Sequence, residues 1–284
     1  MKESRIFCAF RGASPGRVLR VGAALWMCAL TVRAQPVEVS PGTVVRWSGA
    51  GVERCAMGDR EWLPLADTCW YAIDLLAPEG STEVVRWRNG QSERATLRVG
   101  DYPYAVQYIT LKDDSQVQLS AENLRRVEQE NRKIAALWGL QTERLFDLPL
   151  GPPLEKLPAG GRFGARRFFN NQPRSPHTGA DYKADAGTAV LAIGAGRVAL
   201  TGDFFFPGKS VFIDHGDGLI SMSFHLSGIA VQEGDAVGRG EIVGLVGQSG
   251  RATGPHLHLG VRWHGARIDP AQLLVAPGSI PELP

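Results

Sequence analysis

The sequence predicts a mainly β protein: a C-terminal all-β domain with an antiparallel sheet, preceded by a small β-domain and one connecting α-helix. Three observations carry this. The 34 glycines among 284 residues call for many tight turns. From about Gly161 to Leu274 short apolar runs alternate with glycine turns, and no helical period interrupts them. Within that stretch Leu257-His258-Leu259-Gly260-Val261-Arg262-Trp263 alternates apolar and non-apolar positions without a break, as a half-buried strand does.

Residues 1–34 have the pattern of an export signal. Lys2, Arg5, Arg11, Arg17 and Arg20 precede an apolar run over 21–32, and Ala34 offers a small residue before a mature start at Gln35. The run is short for a transmembrane helix, and an uncleaved anchor is the alternative. Cys28 lacks the small residue expected just before a lipidated cysteine. Removing this segment takes six of the 31 Lys and Arg and one of the 29 Asp and Glu, leaving 25 against 28 and a net charge of −3. The nominal +2 therefore gives no support for a nucleic-acid partner. The expected location is the periplasm or cell envelope.

Residues 35–115 read as a small N-terminal β-domain, with β-like runs at 42–47, 82–87 and 95–99 and an Asn89-Gly90 hairpin turn. Cys55 and Cys69 form an even pair, expected as a disulfide in an oxidising compartment; their spacing is too wide for a C-x-x-C metal or redox motif. Such a bridge closes a loop of about 15 residues and contributes about 3 kcal/mol in the chain-entropy model. No chemistry is expected in this region.

Residues 116–160 read as a helix followed by a Pro/Gly-rich linker. Ser120 is placed to cap a helix from Ala121 to about Trp138, with Glu122 in the first turn and Gly139 as terminator. Leu124, Val127, Ile134 and Leu137 make one apolar stripe, interrupted by Asn131, for packing on a neighbouring domain. Residues 147–161 read as a linker or an extended strap. Strands are expected at 189–193, 197–201, 210–214, 219–225, 242–246 and 256–263 of the domain spanning 161–274, with 275–284 as a tail.

The chemistry concentrates in 161–274. On the strand 256–263, Leu257, Leu259, Val261 and Trp263 share one face; His256, His258, Gly260 and Arg262 share the other, expected to be open. On 219–225, Ile220, Met222 and Phe224 share a face, which places His225 with Ser221 and Ser223 away from the core. In Pro176-His177-Thr178-Gly179-Ala180-Asp181, His177 and Asp181 lie four apart and share a face of an extended segment. One imidazole nitrogen and one carboxylate oxygen suit Zn²⁺, and His258 would give three protein ligands with an open fourth position, the catalytic arrangement. Water there would have its pKa lowered to about 7.

The glycines of 247–254 allow close backbone approach to a ligand, or simply make a mobile hairpin loop. His215, in Asp214-His215-Gly216, reads as structural. His264 reads as solvated at a hairpin turn. Phe204-Phe205-Phe206 reads as groove wall or hairpin tip. Gly208-Lys209-Ser210 lacks the upstream spacing of a phosphate loop, so no nucleotide is expected.

Together H-T-G-A-D at 177–181, S-F-H-L at 223–226 and G-R-A-T-G-P-H-L-H at 250–258 resemble the lysostaphin-type, or LytM-domain, zinc endopeptidases of bacterial cell walls. V-F-I-D-H-G-D-G-L (211–219), V-G-R-G-E-I-V-G (237–244) and I-D-P (268–270) fit as well. The resemblance covers roughly 161–274. It implies zinc held by His177, Asp181 and His258, with His225 and His256 beside it as acid–base and transition-state-stabilising groups, either of which can take either part. It implies hydrolysis of a peptide bond in peptidoglycan stems or cross-links. Many relatives carry Tyr two residues before the equivalent of His225, where this chain has Ser223. The alternatives are a non-catalytic LytM-like regulator of another wall hydrolase, which would be expected to lack ligands, and a zinc peptidase for ordinary protein substrates. The N-terminal domain and strap are expected to contact the groove and restrict access to it.

Overall fold

The computed structural model describes residues 35–111 and 117–284; the export-signal reading of residues 1–34 lies outside the described residues. Seven strands come first: β1 (Val37–Val39), β2 (Val44–Ser48), β3 (Val52–Met57), β4 (Arg60–Trp62), β5 (Thr68–Ala72), β6 (Gly80–Arg88) and β7 (Gln91–Val99). They make a five-stranded sheet of order β1-β7-β6-β3-β4 and a two-stranded ribbon, β2-β5. Asn89 and Gly90 turn the β6–β7 hairpin with φ of 51° and 75°, the left-handed values a two-residue turn of this hand needs. Cys55 and Cys69 are bridged.

The ribbon is buried on both faces. Val45, Trp47, Tyr71 and Cys69 pack into the core of the five-stranded sheet. Val44, Trp70 and Ala72 pack into the main core of the C-terminal sheet. Alternation within five-residue strands thus joins the two sheets through one shared layer.

Next come β8 (Val106–Ile109), α1 (Ala121–Ala136), β9 (Arg166–Phe169) and β10 (Gln172–Arg174). β8 pairs parallel with β9, and β9 antiparallel with β10. Ser120 Oγ accepts the Asn123 N–H at 3.1 Å, capping α1. The helix does not stop on Gly139 as a glycine cap; it tightens into a 3₁₀ turn over Leu137–Gly139. Leu137 and Ile134 pack with Phe204, Phe212, Ile220 and Met222 in a second small core, while Leu124, at the expected start of the stripe, is exposed.

Of the two readings of 147–161, the strap is the one observed. Phe146, Leu150 and Leu154 are buried in the main core. Leu150 N–H donates to the Leu273 carbonyl at 2.7 Å and Gly151 N–H to the Ile193 carbonyl at 2.6 Å. Burying those side chains and pairing those amides costs the segment its freedom and returns contacts no loose linker makes.

The remaining strands are β11 (Gly179–Tyr182), β12 (Ala189–Leu191), β13 (Gly196–Phe204), β14 (Gly208–Asp214), β15 (Leu219–Ile229), β16 (Ala236–Val237), β17 (Ile242–Val246), β18 (Leu257–Trp263) and β19 (Ala266–Ile268). They form one nine-stranded sheet of order β11-β18-β15-β14-β13-β16, with β12 paired to β17, β17 to β15 and β19 to β18. Every pairing in it is antiparallel. Leu257, Leu259, Val261 and Trp263 of β18 all enter the main core, as their alternation requires. The tail returns to β2: Arg46 N–H donates to the Pro281 carbonyl, Leu283 N–H to the Arg46 carbonyl, and Ile280 and Leu283 are buried.

Candidate metal centre

β11 and β18 are in register with Asp181 opposite His258, so the two side chains stand together on one face. His177 lies just before β11. Its N–H donates to the Ala165 carbonyl, and its Nδ1–H to the Arg162 carbonyl at 2.8 Å. A carbonyl can only accept, so Nδ1 carries the proton and Nε2 presents a lone pair. Gly179, between His177 and Asp181, is required by space: a Cβ there would lie 2.6 Å from His258 Nε2 and 2.4 Å from the Leu259 carbonyl oxygen.

The result is a tight triad. His177 Nε2 is 2.8 Å from His258 Nδ1, and Asp181 Oδ1 is 3.0 Å from each. Burial alone would raise the Asp181 pKa, but the close contacts of its carboxylate with the His177 and His258 rings outweigh it and hold the carboxyl ionised well below its usual range. Burial disfavours the charged form of both imidazoles and lowers their pKa values, that of His258 to about 4. Two neutral imidazoles and one ionised carboxylate with converging lone pairs can hold a metal ion.

His225 and His256 stand beside the triad. His256 Nδ1–H donates to the Gly254 carbonyl at 2.8 Å, and its Nε2 is 3.7 Å from Asp181 Oδ1. His225 Nδ1–H donates to the Ser249 carbonyl at 2.8 Å, leaving its Nε2 free to accept. The two rings lie 4.9 Å apart, and His225 lies 6.0 Å from His258. Burial pushes the His225 pKa down to about 3, with His258 adding to the effect. All five residues singled out in the sequence are therefore in one place, and Asp181, His225, His256 and His258 line a cavity of about 600 Å³.

The faces of β15 correct the sequence reading. Its register pairs Ser223 with Leu259 and Phe224 with His258, so Ile220, Met222 and Phe224 share the face of His258. Phe224, expected on the opposite face, stacks on His258 with centroids 5.2 Å apart and planes 4° apart. Ser221 bonds His215 on the other side, and Ser223 lies with the core residue Leu259, not with His225. His225 reaches the cleft through a β-bulge: Phe224 and His225 together oppose Ser210, and His225 takes the left-handed φ of 63°. A bulge is set by pairing with β14, which alternation along one strand cannot register.

Nor is the face open, as expected from alternation. His177, His225 and His258 are each under 10% exposed. Met222 presses on Gly260 and Trp138 covers Arg262 at 4.0 Å, leaving access at the His256 end. Of the glycines of the 247–254 loop, Gly254 lines the cavity, with open space where a Cβ would stand. Gly250 packs on Gly208, where a Cβ would lie 2.3 Å from the Gly208 nitrogen, and Ser249 Oγ accepts from Lys209 N–H and donates to the Leu226 carbonyl. His264, expected in solvent, packs on Trp62 at 4.4 Å. Gln107, Ile109 and Leu111, from a region in which no chemistry was expected, line the cavity with Arg162, Arg167 and Arg251. Their signal in the sequence was slight: the short β-run Val106–Ile109 and scattered arginines.

A histidine–aspartate–histidine triad flanked by two proton-accepting imidazoles on an antiparallel scaffold defines a metallopeptidase-type site. Residues 175–270 match the sequence profile of Peptidase family M23. Peptidoglycan DD-endopeptidase ShyA of Vibrio cholerae is 43% identical over 97 residues, 34% of this chain and 23% of that protein. DD-carboxypeptidase/endopeptidase Mpg of Neisseria meningitidis is 40% identical over 97 residues, 34% of this chain and 22% of that protein. The match thus spans under a quarter of the length of these curated relatives. The crystal structure of a putative peptidase M23 from Pseudomonas aeruginosa aligns with a TM-score of 0.63 at 31% identity, covering 85% of this chain and 96% of that one. The chain belongs to peptidase family M23.

Proposed function

We propose that this protein is a zinc metalloendopeptidase that hydrolyses peptide bonds of peptidoglycan stems or cross-links in the periplasm or cell envelope. The convergence of His177 Nε2, Asp181 Oδ1 and His258 Nδ1 within 3.0 Å of one another carries the reading. Two imidazoles and a carboxylate with one open side are the donor set of catalytic zinc. Zinc held there supplies Lewis acidity, polarising a carbonyl and making water acidic enough to attack at neutral pH. The protein's own groups do the rest. His225, kept neutral by burial and oriented by the Ser249 carbonyl, accepts the proton of the attacking water at Nε2. His256, oriented by the Gly254 carbonyl, serves the developing oxyanion or the leaving amine in its protonated form. The named activities of ShyA and Mpg support a peptidoglycan substrate, and the Cys55–Cys69 bridge supports an oxidising compartment.

Mass spectrometry of muropeptides released from purified sacculi tests the function. The expected products are fragments with newly freed peptide ends, absent with Asp181→Ala or His258→Ala, both of which also lose zinc by metal analysis. Wild-type rates in either variant would reject the site. The expectation that the N-terminal region restricts access becomes a proposal about one wall, Gln107, Ile109 and Leu111. Deleting 35–160 would strip Val44, Trp70, Phe146 and Leu150 from the main core, so the sound test is Leu111→Ala, expected to raise kcat/KM on sacculi.

A further inference from the structure

Of the five site residues, His225 alone has a left-handed backbone, with φ of 63° inside β15. A non-glycine residue keeps such a backbone only where its surroundings over-determine it. Two bonds do so. Its backbone N–H donates to the Pro207 carbonyl at 2.9 Å, and its Nδ1–H to the Ser249 carbonyl at 2.8 Å. Both acceptors depend on one turn, residues 205–207, between β13 and β14. Pro207 belongs to it. The Phe206 carbonyl accepts the Arg251 backbone N–H at 2.8 Å, which ties the loop that carries Ser249 to the same turn. Just past the turn, Lys209 N–H donates to Ser249 Oγ at 2.8 Å.

The turn does not hold itself. Phe205 N–H lies beyond the β13–β14 ladder, whose last pair is Phe204 with Gly208, and it donates instead to Glu130 Oε2 of α1 at 2.8 Å. Glu130 Oε1 accepts Arg126 Nε–H at 2.8 Å from one helical turn earlier, and Arg126 Nη2–H donates to the Asp203 carbonyl at 2.9 Å. Both carboxylate oxygens are therefore in use, and residues 203–205 are gripped from one face of the helix. A hydrogen bond to a charged acceptor is stronger than a neutral one. The Glu130 side chain is 16% exposed, so water competes little for this one. The grip bypasses the metal ligands: among the described residues, His177, Asp181 and His258 make no hydrogen bond to residues 203–208.

We infer that Glu130 is a positioning residue for His225, acting from a helix outside the 175–270 match. Glu130 fixes the 205–207 turn, Arg126 completes the grip, and the turn fixes both the backbone and the ring of His225. The helix thus does more than cover the small core with Ile134 and Leu137. It keeps Nε2 of His225 aimed into the cleft, while β11 and β18 set the metal ligands independently. This role rests on the reading of His225 as the proton acceptor and names the element outside the sheet that sets its aim.

The test uses the full zinc-loaded protein and a peptidoglycan stem peptide. Mass spectrometry of cleavage gives kcat and KM, competition with a chelator gives zinc affinity, and amide hydrogen exchange reports on the His225 N–H. Glu130→Ala should lower kcat about tenfold or more, the scale of a slightly misplaced catalytic group. KM and zinc affinity should stay within about twofold, since neither substrate binding nor the ligands are touched. Exchange at the His225 amide should quicken about tenfold, the scale of one lost charged hydrogen bond. Glu130→Gln, which keeps an acceptor for Phe205 N–H, should restore most of both. Ile134→Ala, which removes packing alone, should lower the melting temperature and leave kcat and the His225 exchange unchanged. If Glu130→Ala fails to fold, Arg126→Ala, at an exposed side chain, should lower kcat by a smaller factor, and wild-type kcat there would overturn the role. So would wild-type kcat and exchange in folded Glu130→Ala, or an equal fall in kcat in Ile134→Ala. Quicker His225 exchange in Glu130→Ala with no cleavage by any form keeps the positioning role and rejects the peptidase reading; cleavage with kcat and exchange unmoved by Glu130→Ala does the reverse.

Discussion

Strands β15 and β18 lie side by side, and each delivers a histidine to the cleft by a different route. β18 delivers His258 by plain alternation, opposite Asp181 of β11. β15 delivers His225 through a bulge and a left-handed φ, held by the Ser249 carbonyl of a loop that is itself locked against Gly208. The regular strand places a side chain that must meet two others within 3.0 Å. The bulged strand places one that in the proposed mechanism faces substrate from the side, at a point pleating would not have supplied. Regular pairing suits a rigid ligand triad, and a bulge re-aims a single group without disturbing it.

The contrast breaks most sharply under alanine substitution. His225→Ala should keep zinc while turnover falls about 10²- to 10⁴-fold, the range of a lost general base. Zinc loss equal to that of His258→Ala, read by metal analysis beside the rate, would make both strands serve the metal and end the distinction. The two glycines sharpen it next. Gly179→Ala drives a Cβ into the His258 ring, so zinc affinity should fall at least about tenfold, the lower range for losing a ligand's supporting contact. Gly250→Ala, at φ of 67° and against the Gly208 backbone, should instead lower kcat with zinc affinity kept, since it moves the loop that orients His225. Competition with a chelator measures both affinities.

The last effect falls on stability alone and concerns the turn that leads into β15. His215 donates from Nδ1 to the Ala195 carbonyl and accepts at Nε2 from Ser221, and burial lowers its pKa from 6.5 to about 4. The charged form is disfavoured in the fold. Its contribution is therefore complete above about 6.5 and fades as pH falls toward 4, because the unfolded chain binds the proton more readily. Urea unfolding at saturating zinc should show the loss of stability between pH 7 and 5 reduced by about 2 kcal/mol in His215→Gln. An unchanged slope would mean that the buried imidazole does not govern this turn.

The five residues proposed for the site were legible in the sequence as alternation in 256–263, the His177–Asp181 spacing around Gly179 and a histidine at the end of an apolar run, joined by the family resemblance of those motifs. The β6–β7 hairpin was equally legible from Asn89-Gly90. The face of His225 was not, because the bulge that turns it arises from pairing with β14, far along the chain. The partnership of β2 and β5 with two cores was hidden for the same reason: a run such as Thr68–Ala72, buried throughout, does not say what covers either side. The wall formed by Gln107, Arg167 and Arg251 was invisible because its members are 60 and 84 residues apart in order along the chain.

The sequence by itself determined which residues are candidates for the chemistry and the mainly β character, since side-chain type, alternation and turn residues are properties of neighbouring positions. Tertiary structure decided how buried the site is, how His225 enters it and which cations border it. Those depend on register, bulges and covering layers, and they exist only when distant strands pair.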